Sequence, residues 1–279
     1  MFNLFRNEWR KLWAKKSSWI LLLIAVVISG LTAWSMKALN TLVSTGNSAV
    51  TGASAGASKG AEAFYLIFAS GASFVSIFTI VITAIVITEE FAKNTIKILL
   101  TRPYSRHEVL FSKVLATVAY LLVSLFAIYV VAAAFAGIFF GFGALSKVYA
   151  HGMNAWVFNL ASLGVDVLSN IFYLSLVFVL AAGMRSQGLA ITFSILMQVV
   201  LDIANTMLSG LMMLKKWYWI KWNPFNLMAY NPLATVSTSQ TTGPAALNVW
   251  GWLIGLLVYV VVFYLIADYI FNRRDVSLS

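Results

Sequence analysis

The residue types that could carry chemistry are few in this chain, and many of them lie close together. Its 279 residues contain two histidines, nine acidic residues and no cysteine. One stretch, residues 89–108, begins with the adjacent acids Glu89 and Glu90, ends with His107 and Glu108, and carries four basic residues between them. We refer to residues 89–108 as the charged segment. Such a segment could take part in acid–base chemistry or form a surface that binds a partner.

The positions of the histidines disfavour hydrolytic chemistry inside the membrane. The pair Glu89-Glu90 is similar to the paired glutamates of CAAX-type membrane proteases, but that chemistry also needs a histidine near the membrane core to activate water. His107 and His151 both fall in predicted loops, and Asn94 stands where such a motif places an arginine. The chain lacks a G-x-x-x-x-G-K-[ST] phosphate-binding loop, and without cysteine it has no thiolate metal site. The sequence therefore predicts no enzymatic activity, catalytic residue, bound metal or bound cofactor of its own.

The composition predicts a membrane protein. Hydrophobic residues make up 61% of the chain and charged residues 10%, with a mean hydropathy of +0.87. A soluble domain has about 25% charged residues. The formal net charge of +10 would suggest nucleic acid binding in a soluble protein. Here the basic residues flank apolar runs, so they indicate membrane topology and no nucleic acid partner.

Six apolar runs are long enough to cross a bilayer, which takes about 20 residues of helix. The predicted spans are Ser18–Met36, Phe64–Thr88, Val114–Phe140, Phe158–Met184, Gly188–Ser209 and Val249–Phe271. The predicted fold is an all-α integral membrane protein of about six transmembrane helices, with one six-span domain over residues 18–279. With the N-terminus inside, roughly two thirds of the lysines and arginines fall on the cytoplasmic side, so both termini are expected there.

Residues 1–17 are predicted to form an amphipathic helix at the membrane interface. Apolar side chains recur there at helical spacing, with basic residues largely between them. The apolar set is Phe2, Phe5, Trp9, Leu12 and Trp13. A helix of this kind lies in the plane of the lipid headgroups. A simple basic flank with aromatic residues by chance is the alternative.

Residues 210–247, which we call the outer segment, are dense in aromatic residues between Lys215 and Leu227. Tryptophan and tyrosine favour the headgroup level of a membrane. Pro224 and Pro232 prevent one continuous helix. We expect the outer segment to lie along the outer leaflet or to dip into it, and an ordinary aromatic belt is the alternative.

The charged segment has the sequence signals of two helix starts. Residues 95–100 alternate apolar and basic residues, and Asn94 could cap their first turn. Pro103 disfavours helix at the residue before it. Ser105 and Glu108 then fit a capping box at the start of the third span. The pattern predicts a short amphipathic helix, a turn and a new helix, and a capped hairpin without a partner would give the same pattern.

The charged segment resembles that of the permease subunits of ABC-2-type transporters. The shared pattern is an acidic pair, a step containing threonine, a leucine pair, an Arg-Pro turn, and Ser-Arg before a basic residue in the next span. In this chain the pattern is Glu89-Glu90, Asn94-Thr95, Leu99-Leu100, Arg102-Pro103, Ser105-Arg106 and Lys113. The chain departs from the family at Asn94, where glycine is common. The basic N-terminus, six spans and aromatic outer segment also fit, so the resemblance covers essentially the whole chain.

The resemblance implies a permease subunit of an ABC exporter in a bacterial cell membrane. Such a subunit pairs with a second copy or a related permease. Its cytoplasmic coupling helix, region 89–113, docks on a separate ATP-binding subunit that binds ATP and Mg²⁺ and hydrolyses the ATP. The residues expected to couple to the ATPase are Glu89, Glu90, Thr95, Lys97, Leu100, Arg102, Pro103 and Arg106.

Two predicted spans carry stripes of polar residues at helical spacing. The fifth span has Gln198, Asp202 and Asn205, and the fourth has Asp166 and Asn170 followed by Tyr173. An ionised aspartate at the bilayer centre costs about 2.5–3.5 kcal/mol on insertion scales. The stripes could therefore line a translocation path or contact a polar substrate. Hydrogen bonding between helices, with the aspartates close enough to the outer face to stay wet, is the alternative.

Two other functional classes remain open at the level of sequence. An ion-driven secondary transporter would often show repeated halves and interrupted helices, and no convincing repeat is present here. A membrane sensor or assembly protein without transport activity would also fit six spans. Co-purification of an ATPase subunit distinguishes the permease from both.

Overall fold

The structure is a computed structural model of the chain, and it describes residues 2–44, 60–92, 105–184, 186–212, 215–233 and 247–273. Over these ranges the chain is almost entirely helical. Six helices are long and apolar enough to cross a membrane: Lys16–Leu42, Gly60–Glu89, Arg106–Phe140, Ala155–Gly183, Gln187–Leu208 and Val249–Arg273. The chain is therefore an all-α membrane protein with six candidate spans, as the sequence predicts at this level.

Nine α-helices make up most of the described chain. They are α1 (Phe2–Ala14), α2 (Lys16–Ser44), α3 (Gly60–Ala92), α4 (Arg106–Phe140), α5 (Phe142–Leu145), α6 (Ala155–Gly183), α7 (Gln187–Met212), α8 (Pro224–Ala229) and α9 (Val249–Arg273). A 3₁₀-helix, Lys215–Trp222, precedes α8. Two short antiparallel strands, β1 (Val148–Ala150) and β2 (Met153–Asn154), lie between α5 and α6. Their turn uses positive φ at His151 and Gly152.

The described chain divides into two compact units, and α3, α4 and α6 each contribute to both. One unit contains Lys16–Ser76 and Leu121–Asp166. Its aromatic core joins three helices, because Phe64 of α3 packs on Tyr129 of α4 and on Trp156 of α6. The hydroxyl of Tyr129 also donates to the carbonyl of Trp156 over 3.2 Å.

The other unit contains Met1–Lys15, Ile77–Tyr120 and Val167–Ser279. Within it Leu110 of α4, Ala182 of α6 and Phe271 of α9 form a buried cluster. This cluster lies where α4 begins and where α6 and α9 end, so it fixes three helix ends beside the charged segment. All the contacts described below as the candidate site belong to this unit.

The described residues 215–233 of the outer segment contact α9. Asn223 caps α8 by accepting a hydrogen bond from the backbone N–H of Asn226 over 2.7 Å, and Pro224 occupies the first helical position. The indole N–H of Trp252 donates to the carbonyl of Leu227 over 2.8 Å. The break predicted at Pro224 is therefore present, although the proline begins a helix there.

Candidate functional site

Much of the predicted coupling helix lies outside the described residues. This applies to residues 93–104, and so to Thr95, Lys97, Leu100, Arg102 and Pro103. Glu90 belongs to α3, but its side chain also lies outside the description. The structure describes the two flanks of the charged segment, which are the end of α3 at Glu89 and the start of α4 at Arg106.

The capping box at the start of α4 is confirmed. The backbone N–H of Ser105 donates to Oε2 of Glu108 over 2.9 Å, and the N–H of Glu108 points at Oγ of Ser105 at 3.3 Å. Each side chain thus satisfies a backbone donor that the first turn of a helix leaves without a partner. The start of α4 is consequently fixed at Arg106 by local sequence.

Glu89 forms an ion pair with Lys15, the residue between α1 and α2. Both side chains are partly buried, at 24% and 28% exposure. Helical spacing alone would also allow Glu89 to pair with Lys93, four positions on, but Lys93 lies outside the described residues. The observed pair connects the N-terminal residues to the end of α3 and so to the first flank of the charged segment.

A second, more deeply buried pair connects α1 to α4. The ammonium of Lys113 lies 3.2 Å from Oε2 of Glu8 and donates to the carbonyl of Val86 over 2.9 Å. Its side chain is 2% exposed and that of Glu8 is 7% exposed. Lys11 donates to the other carboxylate oxygen of Glu8 over 2.6 Å. One carboxylate and one ammonium thus hold α1, α3 and α4 together.

The electrostatics of Glu8 favour its charged form. Burial by itself raises the pKa of the carboxyl, but Lys113 and Lys11 outweigh that effect and hold the pKa below its ordinary value. A buried carboxylate remains ionised only when it is paired and hydrogen-bonded, and here both oxygens have a lysine partner. The carboxyl of Glu8 is therefore expected to be ionised at neutral pH.

Apolar contacts hold α1 in the same place. Leu4, Glu8 and Leu12 lie one helical turn apart and are the buried residues of α1. The indole of Trp13 packs on the ring of Tyr120 at 5.5 Å. Phe2, which the sequence places on the apolar face, is exposed. The buried stripe of α1 thus packs on protein and contains one carboxylate.

The second flank of the charged segment is also tied to the end of α9. The guanidinium of Arg106 donates to the carbonyl of Asn272 over 2.9 Å. Nδ1 of His107 lies 2.7 Å from Oδ1 of Asp268 and 3.1 Å from Nδ2 of Asn272. Phe111 packs edge-on against Tyr264. Arg106, a predicted coupling residue, therefore joins α4 to the last span.

The polar residues predicted inside the spans differ in how deeply they are buried. Asn170 is buried in α6, while Asp166 and Gln198 are partly buried. Oδ1 of Asn205 is buried, and no partner for it occurs within the described ranges. The side chain of Asp202 lies outside the description. These residues lie on α6 and α7.

Sequence reasoning missed Glu8 and Lys15 as parts of the site. A signal for Glu8 existed, because it is the one acidic residue in the first 61 positions and shares a helix face with Leu4 and Leu12. No comparable signal singled out Lys15 from the neighbouring basic residues, because its partner lies 74 positions away. The contact of Asp268 with His107 was missed for the same reason, because 161 positions separate the two residues.

Comparison with known proteins places the chain in a family whose function is not described. A family model named "Protein of unknown function (DUF2705)" matches residues 22–277, so the chain belongs to that family. The "Uncharacterized protein YhcI" of Bacillus subtilis is 27% identical over 210 residues, which cover 72% of this chain and 64% of that protein. The "Uncharacterized membrane protein YdbK" of the same organism is 29% identical over 201 residues, covering 72% of this chain and 77% of that protein.

Proposed function

We propose that this chain is the membrane-spanning permease subunit of an ABC exporter of the ABC-2 type. It couples ATP hydrolysis by a separate ATPase subunit to movement of a substrate across the cell membrane. The resemblance of the charged segment to the coupling region of such permeases supports the proposal. The six apolar helices and a relative named as a membrane protein agree with it at a coarser level.

In this proposal both termini and the charged segment face the cytoplasm. The distribution of lysine and arginine favours that orientation. Helix α1 then lies at the inner membrane surface, with its exposed Arg6 and Arg10 toward headgroups or water. The outer segment lies on the opposite side, between α7 and α9.

The observation that carries the proposal is the way both flanks of the charged segment are held. Lys15 pairs with Glu89 on one flank, and Glu8 pairs with Lys113 on the other. Arg106 and His107 are further fixed to the end of α9. A displacement of residues 93–104 would therefore be transmitted to α3, α4 and α9 together. Mechanical coupling to an ATPase requires such transmission.

The chain works as a dimer beside two ATPase subunits, which carry the ATP and Mg²⁺. Six spans form half of the pathway usual in ABC-2 transporters. The large apolar side chains that α2 and α7 leave exposed suit these helices to meet lipid or a second permease, which is either another copy or a related chain. The polar residues of α6 and α7, with Asp166, Asn170, Gln198, Asp202 and Asn205, are the candidates for contact with the substrate.

Co-purification tests the proposal most directly. The full chain, purified from cells that also express the proposed ATPase subunit, should retain that subunit. A chain with residues 95–104 replaced by Gly-Ser should lose it while still inserting in the membrane. A matched control replaces the same number of residues in the sequence 49–58, which the proposal places outside. Retention of the ATPase by the first variant, or equal loss by the control, would overturn the proposal.

Nucleotide hydrolysis gives a second, independent measurement. The purified chain alone should hydrolyse no ATP above background, and the reconstituted complex should do so. Cysteine pairs introduced on α2 or on α7 should cross-link two copies. A monomer that transports substrate without an ATPase, driven by an ion gradient, would favour a secondary transporter. A chain that captures a partner but moves no substrate would favour a sensor or assembly protein.

A further inference from the structure

The surface around the 3₁₀-helix and the start of α9 exposes three indoles beside one lysine. Trp219 is 68% exposed, Trp222 is 45% exposed and Trp250 is 72% exposed. The ammonium of Lys221 lies 5.9 Å from the ring centroid of Trp222. We call these four side chains the indole–lysine surface. Exposed tryptophans in such a group are unusual on a surface that meets only water.

The backbone that presents these side chains is firmly held. The carbonyl of Trp222 accepts a hydrogen bond from the hydroxyl of Tyr259 over 3.2 Å, and the carbonyl of Lys221 accepts one from Nδ2 of Asn226 over 2.8 Å. The ring of Trp222 lies over α9 at Gly251, where an added Cβ would approach it to 3.0 Å. The indole–lysine surface is therefore a built feature of the fold, presented by capped and hydrogen-bonded helices.

The contacts with α9 define the depth of this surface. Gly251 and Gly255 lie two and six residues after Val249, the first residue of α9, so Trp222 lies roughly 3–9 Å along that helix. A span of 25 residues is longer than the hydrocarbon core, so its first turns lie at headgroup level. When α9 crosses the bilayer, this position brings Trp222 and Lys221 to the level where headgroups meet acyl chains, the depth that indoles favour.

The sequence that carries this surface is basic. Between Asp202 and Asp268 the sequence contains Lys215, Lys216 and Lys221 and no acidic residue. An anionic headgroup is complementary to this excess of positive charge in the sequence, and Lys221 places one of the ammonium groups beside Trp222. A lysine at this depth extends its apolar stem along the indoles and directs its ammonium toward the phosphates.

We propose that the indole–lysine surface binds the headgroup of an anionic phospholipid. The indoles lie at the boundary of the hydrocarbon, and the ammonium of Lys221 binds the lipid phosphate as a point charge. The surface thus selects lipid by charge at the side of the membrane opposite the charged segment. This proposal stands on the outer segment alone and holds whether or not the chain couples to an ATPase.

The proposal is tested by measuring which lipids the purified full chain retains. The chain is reconstituted in nanodiscs of phosphatidylcholine with a rising fraction of phosphatidylglycerol, and native mass spectrometry counts the lipids that stay bound. Phosphatidylglycerol should be retained over phosphatidylcholine. Lys221→Gln should weaken that preference about fivefold, the usual effect of one lysine at an anionic surface. High salt should reduce the preference of the unaltered chain.

Two further variants separate the possible causes. Lys147→Gln removes an exposed lysine that has none of these indoles beside it, and it should leave the preference unchanged. Trp219→Ala removes a largely exposed indole and should weaken retention of both lipids while keeping the preference between them. The proposal would be overturned if Lys221→Gln and Lys147→Gln reduced the preference for phosphatidylglycerol equally. Full competition by soluble glycerol phosphate would also overturn it, since the site would then bind a free phosphate.

Discussion

The ammonium of Lys113 and the carboxylate of Glu8 lie 3.2 Å apart and are almost completely buried, although 105 positions separate them in the sequence. The pair fixes α1 against α4, while Lys113 also binds the carbonyl of Val86 in α3. A buried pair of this kind repays its desolvation only when both partners are present and hydrogen-bonded. Its main effect here is to define where α1 lies relative to the start of α4.

Breaking this pair should destabilise the protein strongly. Glu8→Gln leaves the Lys113 ammonium buried without its carboxylate, and the expected loss of unfolding free energy is about 3–5 kcal/mol. Thermal and denaturant unfolding of the purified chain in micelles measure this loss. Replacing both partners, with Glu8→Leu and Lys113→Met, should restore much of the stability because no charge then remains buried.

The neighbouring lysine supplies the control for that experiment. Lys11 also pairs with Glu8, but its side chain is 45% exposed, so Lys11→Ala should change stability by at most about 1 kcal/mol. If Lys11→Ala lowered the free energy of unfolding as much as Glu8→Gln, the buried pair would have no special role. The same conclusion would follow if the double variant Glu8→Leu with Lys113→Met were no more stable than Glu8→Gln.

The pKa of Glu8 predicts how stability depends on pH. Burial acts to raise this pKa, but the two lysines lower it below the ordinary value of 4.5 in the folded chain. A carboxyl whose folded pKa is depressed contributes stability above its unfolded pKa and loses it as pH falls through the folded pKa. Melting temperature should therefore decline below about pH 4.5 more steeply in the unaltered chain than in Glu8→Gln. If melting temperature fell equally steeply with pH in both chains, the lowered pKa would not belong to Glu8.

The parts of the fold that follow from local sequence could be predicted. The six spans follow from long apolar runs, since a bilayer demands about 20 such residues in a helix. The capping box follows from Ser105 and Glu108, because both of its hydrogen bonds form within four residues. The helix ends are less predictable from the apolar runs. Helix α4 begins at Arg106, eight residues before the apolar run that starts at Val114, because the capping box defines its start.

The contacts between distant residues could not be derived in the same way. A basic flank at residues 6–16 predicts attraction to headgroups, but nothing local states that Lys15 meets Glu89 or that Glu8 meets Lys113. These pairs depend on how α1 packs against α3 and α4, which periodicity does not encode. The contact of His107 with Asp268 is of the same kind, since 161 positions separate the two residues.

The N-cap of α4 should be measurable on its own. Ser105→Ala removes the hydroxyl that satisfies the N–H of Glu108, and the expected cost is about 1 kcal/mol at the start of the helix. Hydrogen exchange at the amides of residues 107–109 should become faster. Ser105→Asp keeps an N-cap acceptor and should restore slow exchange. Unchanged protection in Ser105→Ala would mean that tertiary contacts alone hold the first turn.

The attachment of the outer segment to α9 predicts a modest loss of stability in Trp252→Phe. This variant keeps a buried aromatic ring but removes the N–H that donates to the carbonyl of Leu227. The expected loss is about 1 kcal/mol. Tyr269→Phe, which alters an exposed ring near the other end of α9, is the control and should leave stability unchanged. Equal effects in the two variants would argue against a specific role for the Trp252 bond.

The ion pair between Lys15 and Glu89 should matter for coupling more than for stability. Both side chains are partly exposed, so Glu89→Gln should lower unfolding free energy by no more than about 1 kcal/mol. The pair nevertheless connects the N-terminal residues to the last turns of α3, where the predicted coupling region 89–113 begins. Under the proposed function, Glu89→Gln and the double variant Glu89→Gln with Glu90→Gln should reduce ATP-driven transport while expression and melting temperature stay nearly unchanged.

Charge reversal distinguishes the pair from a general effect of charge. Lys15→Glu alone should impair coupling because it places two carboxylates together. Lys15→Glu combined with Glu89→Lys should recover coupling because the pair forms again with its signs exchanged. Lys16→Gln changes an exposed lysine next to the pair and should have little effect. Failure of the exchanged pair to recover transport, with the protein folded and the ATPase bound, would show that Glu89 acts on the ATPase directly and does not act by positioning α3 through Lys15.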